Sequence, residues 1–147
     1  MKEQDIPVIG MINYEMIGYF TDEANSQNYP IEGMKVVYPT IGNFIAMVSN
    51  ESSKVFLNEL NFTNDSKKIS SINIVLPQSI EQLSASDHLN YWQFGFNAIM
   101  VTDTAYFRNP NYHKKSDTLD TLNIEKLKYV VEIVVDSINN FARFRAI

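Results

Sequence analysis

Beyond residue 40 the chain alternates short apolar, often β-branched runs with segments of helical period, and that alternation leaves few architectures open. Residues 41–48 read as a strand, Gly42-Asn43-Phe44-Ile45-Ala46-Met47-Val48. Ser52 or Ser53 then caps a helix reaching about Asn61, with Val55, Phe56, Leu57 and Leu60 as its apolar positions. Residues 72–76 form a second β-branched run, bounded by Ser70-Ser71 and Pro77. Ser86 is placed to cap a short helix over residues 87–94, which Gly95 ends. Asn97 to Val101 is a further strand. The last element is a helix from about Ile124 to Ala142, whose residues Leu127, Val130, Val131, Val134, Val135, Ile138 and Phe141 keep the 3.6 period. Asn123 suits its cap and Glu125 its first turn. Upstream, Val8 to Tyr19 is an apolar run closed by Gly18 and a polar stretch from Thr21 to Tyr29. The expectation is an α/β layered sandwich with a mostly parallel sheet, one domain over residues 1–147. A buried strand so near the first residue implies sheet partners upstream of it.

The chain of 147 residues, 45% of them apolar, is long enough for a real core. Its net charge of −5 argues against a general nucleic-acid or anionic-membrane surface. With no cysteine, disulfides, thiolate-held zinc and thiol nucleophiles are excluded. The polar start Met-Lys-Glu-Gln-Asp-Ile-Pro has no signal-peptide pattern, and no apolar stretch has the length of a membrane span. None of this fixes the compartment, and an exported (periplasmic or secreted) parent protein is compatible with it.

Three places carry candidate chemistry. Glu15 is the single carboxylate in the first apolar run, and such a group is costly unless paired, hydrogen-bonded or metal-bound. Two readings stay open: the strand ends early and Glu15 reaches solvent, or Glu15 points from a strand end into a ligand crevice. His113 lies in the polar run Asn109-Pro110-Asn111-Tyr112-His113-Lys114-Lys115-Ser116-Asp117-Thr118, after a strand. It is a surface histidine or a functional one with Tyr112 as a phenol donor and Asp117 to orient the imidazole. Ser86-Asp87-His88 opens a helix, where a cap and a favourable first-turn charge would suffice. No glycine-rich phosphate loop is present, and no serine sits on a nucleophile-elbow turn.

Together three segments resemble the M28 family of zinc-dependent peptidases. Met11-Ile12-Asn13-Tyr14-Glu15-Met16-Ile17-Gly18-Tyr19 is similar to the family strand that ends in an acidic zinc ligand. Ser86-Asp87-His88, followed by Trp92, Phe94, Gly95 and Ala98, resembles its helix-then-strand signature. Val101-Thr102-Asp103-Thr104-Ala105-Tyr106-Phe107-Arg108-Asn109-Pro110, running into Tyr112-His113 and Asp117-Thr118, is similar to its most distinctive stretch. The resemblance implies a three-layer αβα sandwich with a mostly parallel mixed sheet, the phosphorylase/hydrolase-like zinc exopeptidase fold. It implies Glu15 as a ligand of one zinc and His113 as a ligand of the other. Tyr112 then steadies the oxyanion of the tetrahedral intermediate, and Asp87 supports the site through hydrogen bonds. The implied chemistry is co-catalytic two-zinc hydrolysis of peptides from the N-terminal amino acid, the metals activating water and polarising the carbonyl.

The departures are as informative. The family's upstream His-x-Asp, bridging Asp and Glu-Glu pair do not occur in the chain. The resemblance therefore implies the C-terminal portion of a catalytic domain, its N-terminal part missing. A catalytic zinc takes about three protein ligands, and here each metal would receive one. The expectation is weak or absent zinc binding by the chain alone, no hydrolysis, and self-association through an exposed sheet edge. Two alternatives remain. One is a non-catalytic structural or interaction module that kept the fold. The other is a glutaminyl-cyclase-like enzyme, against which Tyr112 before His113 and Ser86 before Asp87 both speak. Trp92, Phe94, Phe96, Tyr106 and Phe107 line a pocket or belong to the core.

Overall fold

The computed structural model describes residues 7–62 and 68–145, so the polar start that lacks a signal pattern lies almost wholly outside the described residues. Four strands make one mixed sheet: β1 (Met11–Tyr14), β2 (Phe44–Ser49), β3 (Ser70–Val75) and β4 (Ala98–Thr102), in the order β1-β4-β2-β3. The pairs β1–β4 and β2–β3 are parallel, while β2 runs antiparallel to β4 with Met47 opposite Val101. All six residues of β2 are buried, which fits a strand covered on both faces.

Strand alternation divides the core in two. Ile45 and Met47 of β2 and Ile99 and Val101 of β4 face α1 (Lys54–Leu60) and α3 (Ile124–Arg145), meeting Phe56, Leu57, Leu60, Val130, Ile133 and Val134. Phe44, Ala46, Val48, Ile74 and Ala98 face the other way, against Tyr29, Met34, Leu83 and Trp92, the last from α2 (His88–Gln93). Helices thus cover both faces, and the three-layer expectation holds.

Several boundaries move for local reasons. The first strand is four residues rather than the whole run to Tyr19, because Met16 takes a left-handed backbone (φ 54°) and leaves the sheet. Ser53 holds the N-cap position of α1 but makes no side-chain cap bond; Asn50 caps the short 3-10 turn before it (Glu51–Ser53), its Oδ1 accepting the Ser53 N–H at 2.9 Å. Ser53 instead accepts the Ala98 N–H at 3.1 Å, tying that turn to β4. Ser70 and Ser71 belong to β3 rather than bounding it. Gly95 ends α2 as expected, with φ 73°. Asn123 caps α3, accepting the Lys126 N–H at 2.9 Å. Of that helix's apolar stripe only part is covered: Val131, Val135 and Ile138 remain 39%, 47% and 44% exposed.

Candidate functional site

Glu15 stands one residue beyond β1, where its N–H still donates to the Val101 carbonyl at 3.0 Å. The strand period puts Asn13 and Glu15 on one face of the sheet, the face that α2 covers. The strand does end early, and the half-buried carboxylate lines a cavity over the sheet. The floor of that cavity is apolar, with Met34, Val48, Ile74 and Met100; its walls include Leu83, Ser86, Tyr106 and Tyr112. Of the five aromatics named as pocket or core, Tyr106 and Phe107 line the cavity. Trp92 is core, Phe96 is half-buried against the Tyr91 ring, and Phe94 is exposed.

The Glu15 carboxylate is held from behind. Ser86 donates its hydroxyl to Oε2 at 2.5 Å, and the same oxygen of Ser86 accepts an Asn13 amide hydrogen at 2.7 Å. Ser86 therefore spends its side chain on Glu15 and not on capping α2. Asp87 occupies the cap position, but its side chain makes no cap bond, and no hydrogen bond joins it to Glu15, Tyr112 or His113 among the described residues. His88 is fully buried, and burial pushes its pKa below the usual imidazole value of 6.5 against the raising influence of the Leu83 carbonyl, Glu15 and Asp87.

That depression makes stability pH-dependent. Between the lowered folded-state value and 6.5 the unfolded chain binds more protons, so stability is lost as pH falls from 6.5 toward the folded value. Urea midpoints measured across that range should decline on acidification, by at most about 1.4 kcal/mol per pH unit from this group. A His88→Phe chain should lack that component.

His113 sits in the turn after Asn109, with a left-handed backbone (φ 56°) that histidine tolerates better than most residues. Buried Asn109 organises the turn, its Oδ1 accepting the Asn111 N–H at 2.8 Å and its own N–H donating to Ala105 O at 2.8 Å. The His113 ring is exposed and stacks on Tyr112 at 3.9 Å and 16°. Tyr112 in turn packs 5.5 Å from Tyr106. So the structure brings Glu15 and Tyr112 to one cavity and sets His113 one ring beyond it. Asp117 does not orient the imidazole: its Oδ1 takes the Asn109 amide at 3.5 Å, because Asn109 rather than His113 is the residue turned inward.

Sequence reasoning passed over the residues that shape the cavity wall. Asp103 is 1% exposed; Oδ2 accepts the N–H groups of Gly18 and Tyr19 at 3.0 and 2.7 Å, and Oδ1 accepts that of Ala105 at 3.0 Å. It joins the segment after Glu15 to Thr104 and Ala105, both left-handed (φ 74° and 49°) and both on the cavity wall. Burial raises the Asp103 pKa, opposed by those three bonds and by the nearby Arg108 charge. Arg108, lowered by burial to about 10, donates Nε to Gln27 Oε1 at 2.7 Å and Nη1 to the Phe44 carbonyl at 2.8 Å. Gly42 is required beside it, since a Cβ there would fall 2.7 Å from Arg108 Cδ. The one available signal was a charged pair flanking an apolar-aromatic stretch, Asp103 to Arg108.

As a metal site the arrangement is incomplete. Among the described residues no protein bond reaches Glu15 Oε1 or the His113 ring nitrogens, and such a carboxylate and imidazole are donors of the kind zinc takes. Yet no group of three or more His, Asp or Glu side chains that could hold a metal ion occurs among the described residues. The donors suit zinc in kind and fall short in number, so no catalytic step through a metal rests on these residues alone.

A mixed sheet covered by helices on both faces, with a lined cavity against one of them, makes the chain a layered α/β sandwich. Its fold is that of LapA aminopeptidase of Legionella pneumophila (TM-score 0.62, 19% identity, 96% of this chain and 33% of that one) and of LapB from the same organism (TM-score 0.62, 18% identity, 95% and 32%). The sequence profile of peptidase family M28 matches residues 3–138, and the chain belongs to that family. It is 41% identical over 135 residues to the uncharacterised protein YfbL of Escherichia coli K12, covering 91% of this chain and 42% of that protein. The chain thus spans about two-fifths of that relative and a third of the solved structures.

Proposed function

We propose that this chain is one part of a zinc-dependent exopeptidase, most closely an aminopeptidase, and supplies a single ligand to each of two zinc ions. In this reading residues 1–147 form the C-terminal portion of the catalytic domain. Glu15 is the acidic ligand of one ion and His113 the imidazole ligand of the other. Tyr112 donates to the oxyanion, and Asp87 supports the site by its charge beside His88, since it makes no hydrogen bond to Glu15, Tyr112 or His113 among the described residues. The observation that carries the reading is the convergence of Glu15 and Tyr112 on one cavity with His113 stacked against Tyr112. The substrate is a peptide presenting its N-terminal amino acid.

With one ligand per ion the chain alone should bind zinc weakly and leave peptides intact. Calorimetric titration with zinc chloride is expected to give no tight stoichiometric binding; a tight one-to-one or two-to-one isotherm would show that the ligands are here already. The shortage of donors equally suits a non-catalytic module. The two part on whether a polypeptide holding this chain with the missing ligands hydrolyses an aminoacyl anilide and stops on chelation.

Exposed apolar side chains at Val131, Val135, Ile138 and Phe144, together with the outer strand β1, support association of one copy with another. Light scattering is expected to give a mass above 16.9 kDa that rises with concentration. A monodisperse monomer throughout would contradict this.

A further inference from the structure

Behind Glu15 lies a buried imidazole that the reading above leaves without a task. His88 is 0% exposed, and its Nε2 lies 2.5 Å from the Leu83 carbonyl. A carbonyl only accepts, so Nε2 carries the proton, and Nδ1 of the neutral ring is left as an acceptor. Facing Nδ1 at 3.4 Å is the Asn13 amide nitrogen, which has two hydrogens. One goes to His88; the other goes to Ser86 Oγ at 2.7 Å. Having accepted there, the Ser86 hydroxyl has one hydrogen left, and Glu15 Oε2 lies at 2.5 Å to receive it.

Every direction in this chain of bonds is fixed by the one before. The opposite His88 tautomer would set an N–H against the Asn13 N–H and a bare nitrogen against the Leu83 oxygen, losing two buried bonds. A reversed Asn13 amide would turn an oxygen toward Ser86. The hydroxyl would then donate to Asn13 and abandon Glu15. The edge-to-face contact of His88 with Trp92 (4.5 Å, 78°) holds the ring plane.

We propose that His88 and Asn13 are positioning residues for Glu15. They act through the Ser86 hydroxyl, committing Oε2 to the protein and leaving Oε1, unbonded among the described residues, as the oxygen for a ligand. The consequence for catalysis rests on the peptidase reading of Glu15; the positioning itself does not. At its far end the same chain of bonds grips Leu83, so it also ties the cavity-lining turn at residues 81–84 to the strand that presents Glu15.

The test is made on the isotope-labelled 147-residue chain without metal or substrate, so its failure is separate from any failure of hydrolysis. Three-bond couplings report the Glu15 side-chain rotamer. The wild-type chain should show one rotamer; Asn13→Ala and His88→Phe should each give averaged couplings, matching Ser86→Ala. Asn13→Ala should add nothing in the Ser86→Ala background, and Ser86→Thr, which keeps the hydroxyl, should restore the single rotamer. Should the truncations fail to fold, Asn13→Asp keeps the size but replaces donors with acceptors. In that variant the hydroxyl should turn away from Glu15, and His88 should become an imidazolium at neutral pH, visible in its ring nitrogen shifts. A single unchanged Glu15 rotamer in the folded Asn13 and His88 variants overturns the proposal.

Discussion

An Asp103→Ala chain is expected to lose about 3–5 kcal/mol of folding stability, much of what a domain of this size holds. Three backbone N–H groups, from Gly18, Tyr19 and Ala105, end on this one carboxylate. Each bond to a charged acceptor is worth about 1.5–3 kcal/mol; of the donors left behind that of Gly18 is buried, while those of Tyr19 and Ala105 are half-buried and water repairs them in part. One effect opposes the loss. Burial raises the Asp103 pKa, so the ionised carboxylate carries a desolvation cost that its removal relieves. Because the folded chain holds this proton more tightly than the unfolded one, wild-type stability falls as pH rises from 3.8 through the folded-state value. The deficit of the variant should therefore narrow over the same range. Three bonds outweigh one partly compensated desolvation, so the sign at neutral pH is destabilising. Asp103→Asn, which keeps one acceptor oxygen, should fall between. Urea titration of the three chains checks the order, and an Asp103→Ala chain within 1 kcal/mol of wild type (about fivefold in the folding equilibrium) would remove Asp103 from its place in this account. The effect should reach the cavity as well, because the left-handed Thr104 and Ala105 have no other side chain holding their strained backbone to the segment after Glu15 among the described residues.

How much of this was legible before the fold was known depends on distance along the chain. The existence of strand β2 and the periodic stripe of α3 are local patterns, and they were readable. The order β1-β4-β2-β3 was not, since it pairs Met11 with Ala98 across the whole chain and inserts one antiparallel neighbour. In the site, Glu15 announced itself as a carboxylate amid apolar residues, and the Asn109–Thr118 loop as a polar run after a strand. What each one leans on stayed hidden. Ser86 looked like a helix cap because a hydroxyl before a helix is nearly always satisfied that way; only the meeting of residues 71 positions apart turns it toward Glu15. Asp103 and Arg108 lie in the stretch that carried the family resemblance, but what each touches is far upstream: Gly18 and Tyr19 for Asp103, Gln27 and Gly42 for Arg108. Asp117 was paired with the nearest imidazole in sequence, whereas the backbone turn at His113 carries that ring outward and leaves Asn109 inside.

Tyr112→Phe is the sharpest test of the peptidase reading, because it removes one oxygen and leaves the ring contacts. Tyr112 lines the same cavity as Glu15 and is packed between Tyr106 at 5.5 Å and His113 at 3.9 Å. Both contacts use the ring, which phenylalanine keeps, and no protein acceptor holds the phenol hydroxyl among the described residues. The substitution should shift stability by less than about 0.5 kcal/mol. A hydroxyl with no protein partner among the described residues, on a side chain that lines the cavity, is available to a charge that develops only in a transition state, where a preorganised donor contributes most. In a polypeptide that holds this chain together with a full zinc set, Tyr112→Phe should lower kcat for an aminoacyl anilide by about 10²–10³-fold while KM changes little. His113→Ala in the same protein should instead abolish zinc retention along with turnover, since it removes a ligand rather than a donor. The two variants thus separate oxyanion support from metal binding. A Tyr112→Phe enzyme with kcat within threefold of wild type, about 0.65 kcal/mol in the barrier, would mean that the phenol faces the cavity without taking part in the reaction, and would leave the loop its histidine alone.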